Sequence, residues 1–353
     1  MGRSSHSRRG FLHIGAIGIG GIAGCIGNTN SDTDQSQDYN DTDGGTSSEG
    51  SESEDESKAT GPQEIPDNGA IVFVYDDGPI EDYTQALPAH QAFDAPATTG
   101  IVTEWIGRED FQGNDWMDIS HLEELVDAGW EICSHTVDHT AVGTFEVVED
   151  VTAADTRVYP DEIRHGYWEP RRLEITDGSQ AVTRTVRGWD EDHKGRYIDL
   201  DEPLGKSFAA GETVTRYPEE EMWKAIVESK QKLENLGFQI DTFLAPYDNF
   251  DEYSLEFAKK HYEGVANANH GSRINEPDEF DPFQTKRDYF IEFTTPEAVK
   301  EDLDIIADKG ALGVIGAHTF KDEVTEERIY ETLEWIEDRE IDVVTLREAC
   351  QYQ

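Results

Sequence analysis

Three short stretches of this 353-residue chain concentrate side chains able to bind a metal or move a proton. Tyr75-Asp76-Asp77-Gly78 closes the apolar run Ala70-Ile71-Val72-Phe73-Val74. Adjacent carboxylates at the end of a strand point in different directions, so one can ligate a cation while its neighbour takes a proton. Turns also recruit Asp-Asp-Gly for purely conformational reasons. Ser134-His135-Thr136-Val137-Asp138-His139 sets two histidines four apart. On a helix they would share a face and chelate one ion; on a turn they could as well be two exposed side chains. His318 ends Val314-Ile315-Gly316-Ala317-His318, where a lone histidine is usually structural and only its company suggests catalysis.

These stretches need a frame that brings them together. Apolar runs predict strands over 70–75, 98–103, 130–134, 241–245, 264–268, 311–316 and 341–345. Helical spacing predicts helices over 121–128, 219–236, 252–261, 296–309 and 326–339, the second stopped by Gly237. Strands alternating with helices argue for an α/β domain with a parallel sheet. Each chemical stretch then lies at or just after the C-terminal end of a strand, where active sites of such folds assemble. One region breaks the rhythm: 143–217 has β-like runs at 171–175, 181–187 and 196–200 and no amphipathic helix. It reads as a β-rich insertion.

The chain holds 76 acidic and 29 basic residues, a formal net charge of -47. Nucleic acid is excluded as a partner, because phosphate binding needs basic clusters. Such a charge repels itself unless screened, and salt shortens the screening length to roughly 3 Å at 1 M. The composition is that of a halophile's protein. Three cysteines, Cys25, Cys133 and Cys350, are too few for a disulfide framework; the latter two are expected to be buried thiols or one optional bridge. At the N-terminus, Ser7-Arg8-Arg9-Gly10-Phe11-Leu12 precedes a glycine-rich apolar run from Ile14 to Ala23, too short to span a bilayer core of about 30 Å as a stable helix. The arginine pair is similar to a Tat export signal, and Ile22-Ala23-Gly24-Cys25 resembles a lipobox in which the cysteine takes a lipid. A plain cleaved signal and an uncleaved anchor are the alternatives. Residues 1–25 are thus read as the signal of a haloarchaeal-type exported lipoprotein at the cell surface. Residues 26–64 are read as a disordered acidic tether, which buries too little apolar area to fold, and 65–350 as the folded domain.

Asp76-Asp77, His135-x-x-x-His139 and His318 occur in that order, with Phe243-Leu244-Ala245-Pro246-Tyr247 between the last two. Together they resemble the polysaccharide deacetylase family, also called the NodB-homology or carbohydrate esterase 4 family. The resemblance runs over roughly residues 65–349 apart from the insertion. It implies a distorted (β/α) barrel and one divalent metal, usually zinc, held by Asp77, His135 and His139. It further implies Asp76 as general base, His318 as general acid and the backbone N–H of Tyr247 as donor to an oxyanion. The implied substrate is an N-acetylated polysaccharide; no protein partner is evident. Aromatic side chains of the insertion, Tyr159, Tyr167, Trp168, Trp189 and Tyr197, could stack on sugar rings or form the insertion's own small core, the second being expected. There are departures from the family pattern. Leu244 stands where an arginine is usual, with Arg287 a candidate replacement, and Asp248 stands where a glycine is usual. Asp288 is the candidate for orienting His318. Hydrolysis of another non-peptide C–N bond and a silent glycan-binding module are the alternative functions; a binding module has no need of both a base and an acid.

Overall fold

A computed structural model describes residues 63–352 except Trp168. Cys25, the export-signal segment and nearly all of the tether lie outside the described residues. Ala70–Tyr75 (β1) is buried along its whole length, as an uninterrupted apolar run requires of a strand covered on both faces. It pairs in parallel with Leu312–Ala317 on one side. On the other, Thr98–Ile101 (β2) meets only its C-terminal end, and Asp342–Val343 fills the rest of that edge. Beyond β2 come Glu131–Ser134 (β3) and then Thr242–Phe243, both parallel.

One segment closes the ring. Gly264–Val265 pairs with Thr242–Phe243, while Asn269–His270, a few residues on, pairs with Lys286–Tyr289. Lys286–Tyr289 in turn pairs with Leu312–Ala317. The fold is therefore α/β, a distorted (β/α) barrel, with an additional antiparallel sheet. Helices Glu252–His261, Pro296–Lys309 and Glu326–Glu337 belong to its cover, capped by Asp251, Thr295 and Thr325, each accepting a backbone N–H of the first turn. The helix expected over 219–236 is interrupted by a wide π turn at Trp223–Val227. Among the described residues no helix is long and apolar enough to cross a membrane. Cys133 and Cys350 are free thiols.

Several strands are shorter than the apolar runs suggest, because the chain leaves the ladder early to turn toward the barrel mouth. Ala245 exchanges hydrogen bonds with the Asn267 side chain, N–H to Oδ1 and O from Nδ2 at 2.8 Å each, in place of a strand neighbour. The second sheet lies within residues 145–216 and its strands all pair antiparallel. Leu173, Ile175, Val186, Ile198 and Leu200 are buried there together with Tyr159 and Tyr197. Those two tyrosines serve the insertion's core, whereas Trp189 stays partly exposed and stacks on Tyr167 at 5.4 Å.

Candidate active site

Asp77 leaves β1 at φ 79°, a left-handed conformation that Asp tolerates better than most residues. His135 and His139 sit on a turn after β3, not on a helix, with Thr136 at φ 63° and His139 at φ 55°. The turn still brings both rings to one carboxylate: Nε2 of His135 and of His139 lie 3.1 and 3.0 Å from Asp77 Oδ1. A ligand atom from each of the three residues falls within 4.8 Å of the others, all buried. His135 Nδ1 lies 2.8 Å from the Leu244 carbonyl. A carbonyl only accepts, so Nδ1 carries a proton and Nε2 is the ring nitrogen that faces Asp77. His139 Nδ1 meets the Tyr247 hydroxyl at 3.1 Å, likewise turning Nε2 inward. Burial acts to raise the pKa of Asp77, but His139 and His135 outweigh it and hold the carboxyl well below its usual range. Burial lowers His139 against the pull of Asp77, favouring the neutral ring that a metal ligand must be. Two imidazole nitrogens and one carboxylate oxygen at the edge of a cavity form a donor set that could hold a divalent metal ion.

The insertion supports this turn. Arg171 Nη2 and Nε reach the two oxygens of Asp138, at 2.8 and 3.0 Å, and Nη1 reaches Glu221 at 3.1 Å. Asp138 lies between the two histidines in sequence, and this ion pair, hydrogen-bonded from Nε to Oδ2, is almost wholly buried. Arg171→Ala is expected to weaken metal affinity about 10- to 100-fold, read by competition with a chelator. Arg171→Lys should recover only part, since it keeps the charge and loses the fork.

Asp76 faces Arg287 and His318. The Arg287 guanidinium, fully buried, donates to Asp76 Oδ1 and reaches Asp248 Oδ1 at 3.3 Å. It arrives from Lys286–Tyr289, because the position expected to carry the arginine holds Leu244, packed over Gly100 in the core. Asp248 also accepts from Asn267 at 2.7 Å and from the Tyr289 hydroxyl at 3.0 Å. Gly316 makes room for this arrangement: a methyl group there would fall onto the guanidinium. Burial raises the Asp76 pKa, and Arg287 and His318 oppose that rise without cancelling it.

His318 Nε2 is 3.6 Å from Asp76 Oδ2. Its Nδ1 lies 3.0 Å from Glu292 Oε1, and its backbone N–H donates to the same carboxylate at 3.0 Å. The residue orienting His318 is thus Glu292 and not Asp288, whose Oδ1 accepts the neighbouring Tyr289 N–H. Sequence offered a signal for it, a single carboxylate inside Phe290-Ile291-Glu292-Phe293. Burial pushes the His318 pKa down, but Asp76 and Glu292 pull harder, raising it from 6.5 to about 9. A raised histidine pKa means stability present below about 6.5 and lost as pH climbs through about 9. If the protonated ring is the working form, kcat/KM falls on the alkaline side near pH 9, and Glu292→Gln moves that limb toward 6.5. A pH–rate profile of the two proteins checks this.

Both groups open on one cavity of about 510 Å³, lined by Asp76, Asp77, His139, Tyr247 and His318 and walled by Trp105 and Trp116. The insertion supplies Glu162 and Arg164 to the same wall. The Arg164 guanidinium lies 4.3 Å over the Tyr247 ring and pairs with Glu162 at 3.2 Å. Tyr247 has φ 62° and sits beside both His139 and the cavity.

Residues 63–168 match the family model described as polysaccharide deacetylase. The matched segment carries Asp76, Asp77, His135 and His139; His318 lies beyond it. No curated protein sequence matches the chain. Among solved structures it is similar to the CE4 domain of a multidomain xylanase from the hindgut metagenome of Trinervitermes trinervoides. There the identity is 11% and the TM-score 0.39, over 80% of this chain and 89% of that one. It is also similar to a family 4 carbohydrate esterase from Streptomyces lividans in complex with acetate (11%, TM-score 0.39, 78% and 91%). A third is a CE4 family pseudoenzyme from Bacillus anthracis (10%, TM-score 0.42, 81% and 66%).

Proposed function

We propose that this chain is a metal-dependent hydrolase that removes acetyl groups from an N-acetylated polysaccharide, exported and held at the cell surface by a lipid on Cys25. The observation that carries the activity is one cavity lined both by Asp77 and His139 of the Asp77–His135–His139 cluster and by the pair Asp76–His318. The polysaccharide deacetylase match supports the reaction class.

Asp77, His135 and His139 would hold a divalent ion, which when bound would supply Lewis acidity toward the acetamide carbonyl and toward water. Asp76, fixed by Arg287, takes the proton of the attacking water. His318, charged and fixed by Glu292, gives a proton to the departing nitrogen as the C–N bond breaks, leaving acetate and a free amine. His318 begins protonated between two carboxylates, and Asp76 begins ionised beside a buried guanidinium that offsets part of the rise burial imposes on its pKa. The Tyr247 backbone N–H is the proposed donor to the tetrahedral oxyanion.

Acetate release from an N-acetylglucosamine oligomer in molar salt tests the proposal. Acetate appearing with an equal amount of new amine is expected. Wild-type protein that carries metal yet frees no acetate from any N-acetylated glycan contradicts the substrate assignment.

A further inference from the structure

Asp82 is fully buried, and the chemistry proposed for the site gives it no part. Each of its carboxyl oxygens meets one threonine hydroxyl: that of Thr99 lies 2.7 Å from Oδ2 and that of Thr319 lies 2.6 Å from Oδ1. Among the described residues no lysine, arginine or histidine pairs with it. Burying a carboxyl without a cation is unfavourable, and an apolar side chain would fill the same space without that penalty. Burial raises its pKa to about 8 against the two hydroxyls, and Asp76 and Asp77 add to the rise. At neutral pH the group is therefore mostly a carboxylic acid, which accepts a hydrogen bond on one oxygen and donates from the other.

The two threonines belong to different elements around the site. Thr99 lies on β2 opposite Tyr75, the last residue of β1. Thr319 directly follows His318, beyond the strand Leu312–Ala317, and is itself buried. Asp82 lies on the segment that runs on from Asp76 and Asp77, and its N–H closes a turn onto the Pro79 carbonyl at 3.1 Å. One carboxyl thus joins the segment carrying Asp76 and Asp77 to the segment carrying His318. Glu292 holds His318 from one side, through its backbone N–H and Nδ1. The Thr319–Asp82 contact anchors the very next residue, and between them these contacts set the 3.6 Å from His318 Nε2 to Asp76 Oδ2.

We propose that Asp82 is a positioning residue for His318: through Thr319 it fixes the imidazole relative to Asp76, and so governs how readily a proton reaches the departing nitrogen. The proposal rests on the deacetylase reading of the site. Asp82 touches no metal ligand and does not line the cavity. Its loss therefore slows the chemical step and leaves metal and substrate binding in place, because an acid displaced by a fraction of its reach still lies in the site but delivers its proton poorly.

The test compares wild type with Asp82→Ala, Asp82→Asn, Thr319→Val and Thr99→Val. Acetate release from an N-acetylglucosamine oligomer, metal content and melting temperature are measured on the same samples. Asp82→Ala and Thr319→Val should lower kcat about 10- to 100-fold, with KM and metal content at wild-type values. Asp82→Asn accepts and donates as the neutral acid does, and should recover most of kcat. Thr99→Val leaves the Thr319 contact in place, so it should lower the melting temperature with kcat largely kept. Should Asp82→Ala fail to fold, Thr319→Val, which keeps the shape of the side chain, carries the comparison. Wild-type kcat in Thr319→Val, or an Asp82→Asn as slow as Thr319→Val, would overturn the positioning role while leaving the deacetylase reading intact. Wild type that holds metal but frees no acetate from the oligomer would overturn that reading, and the role of Asp82 with it.

Discussion

Asp76→Asn should yield a folded protein that binds metal as wild type does and releases acetate about 10²- to 10⁴-fold more slowly, the range a positioned general base contributes. The substitution keeps the side chain's shape and removes its ability to take a proton. Metal binding should survive because the three ligand atoms belong to Asp77, His135 and His139. The fold should survive because Arg287 retains a second carboxylate, Asp248, at 3.3 Å. Without that second anion, a buried guanidinium stripped of its partner would cost roughly 3–5 kcal/mol. Elemental analysis and acetate release on the same sample check the prediction, and an active Asp76→Asn enzyme would remove Asp76 from the mechanism.

Gly316→Ala should do comparable damage without touching an ionisable group. Gly316 sits on Leu312–Ala317 beside Tyr289 and Val74 in the sheet, where added bulk cannot swing aside. A methyl there meets the Nη2, Nε and Cζ atoms of Arg287, so the guanidinium must leave Asp76 or the strand must shift. Losing the buried pair is expected to cost about 3–5 kcal/mol of stability. Activity should fall by about two orders of magnitude, as for loss of a buttressing contact. Thermal unfolding and kcat, measured beside Arg287→Ala, decide it: the two variants should be alike, and a fully active Gly316→Ala would show that the arginine does not act through Asp76.

The residues legible in the sequence were those whose signal is local. Asp76 and Asp77 announce themselves by following an apolar strand, and His318 by ending another. The β1, β2 and β3 core of the barrel was legible for the same reason, as was the β character of 143–217. Spacing alone left the His135–His139 geometry open, since four residues fit one helical face and also the turn actually used. Partners joined through the tertiary structure were harder. Glu292 is 26 residues from His318, and Arg171 is 33 from Asp138; neither pairing follows from local propensity. Asp288 looked suitable by position but bonds its own neighbour's backbone. The need for Gly316 appears only once Arg287 has been placed against it. Strand ends were overestimated at 241–245 and 341–345 because hydrophobicity continues past the regularly paired residues: Leu244 is fully buried and keeps one backbone bond to Ser134 O, and Ala245 then turns to the Asn267 side chain.

The most direct test of the central claim is metal content and acetate release measured on the same samples of wild type and Asp77→Ala, in molar salt with an N-acetylglucosamine oligomer. The proposed function predicts one divalent ion per wild-type chain and acetate from the oligomer, with both lost when Asp77 is removed from between His135 and His139. Wild-type protein that holds no metal, or Asp77→Ala that keeps metal and activity, would contradict it.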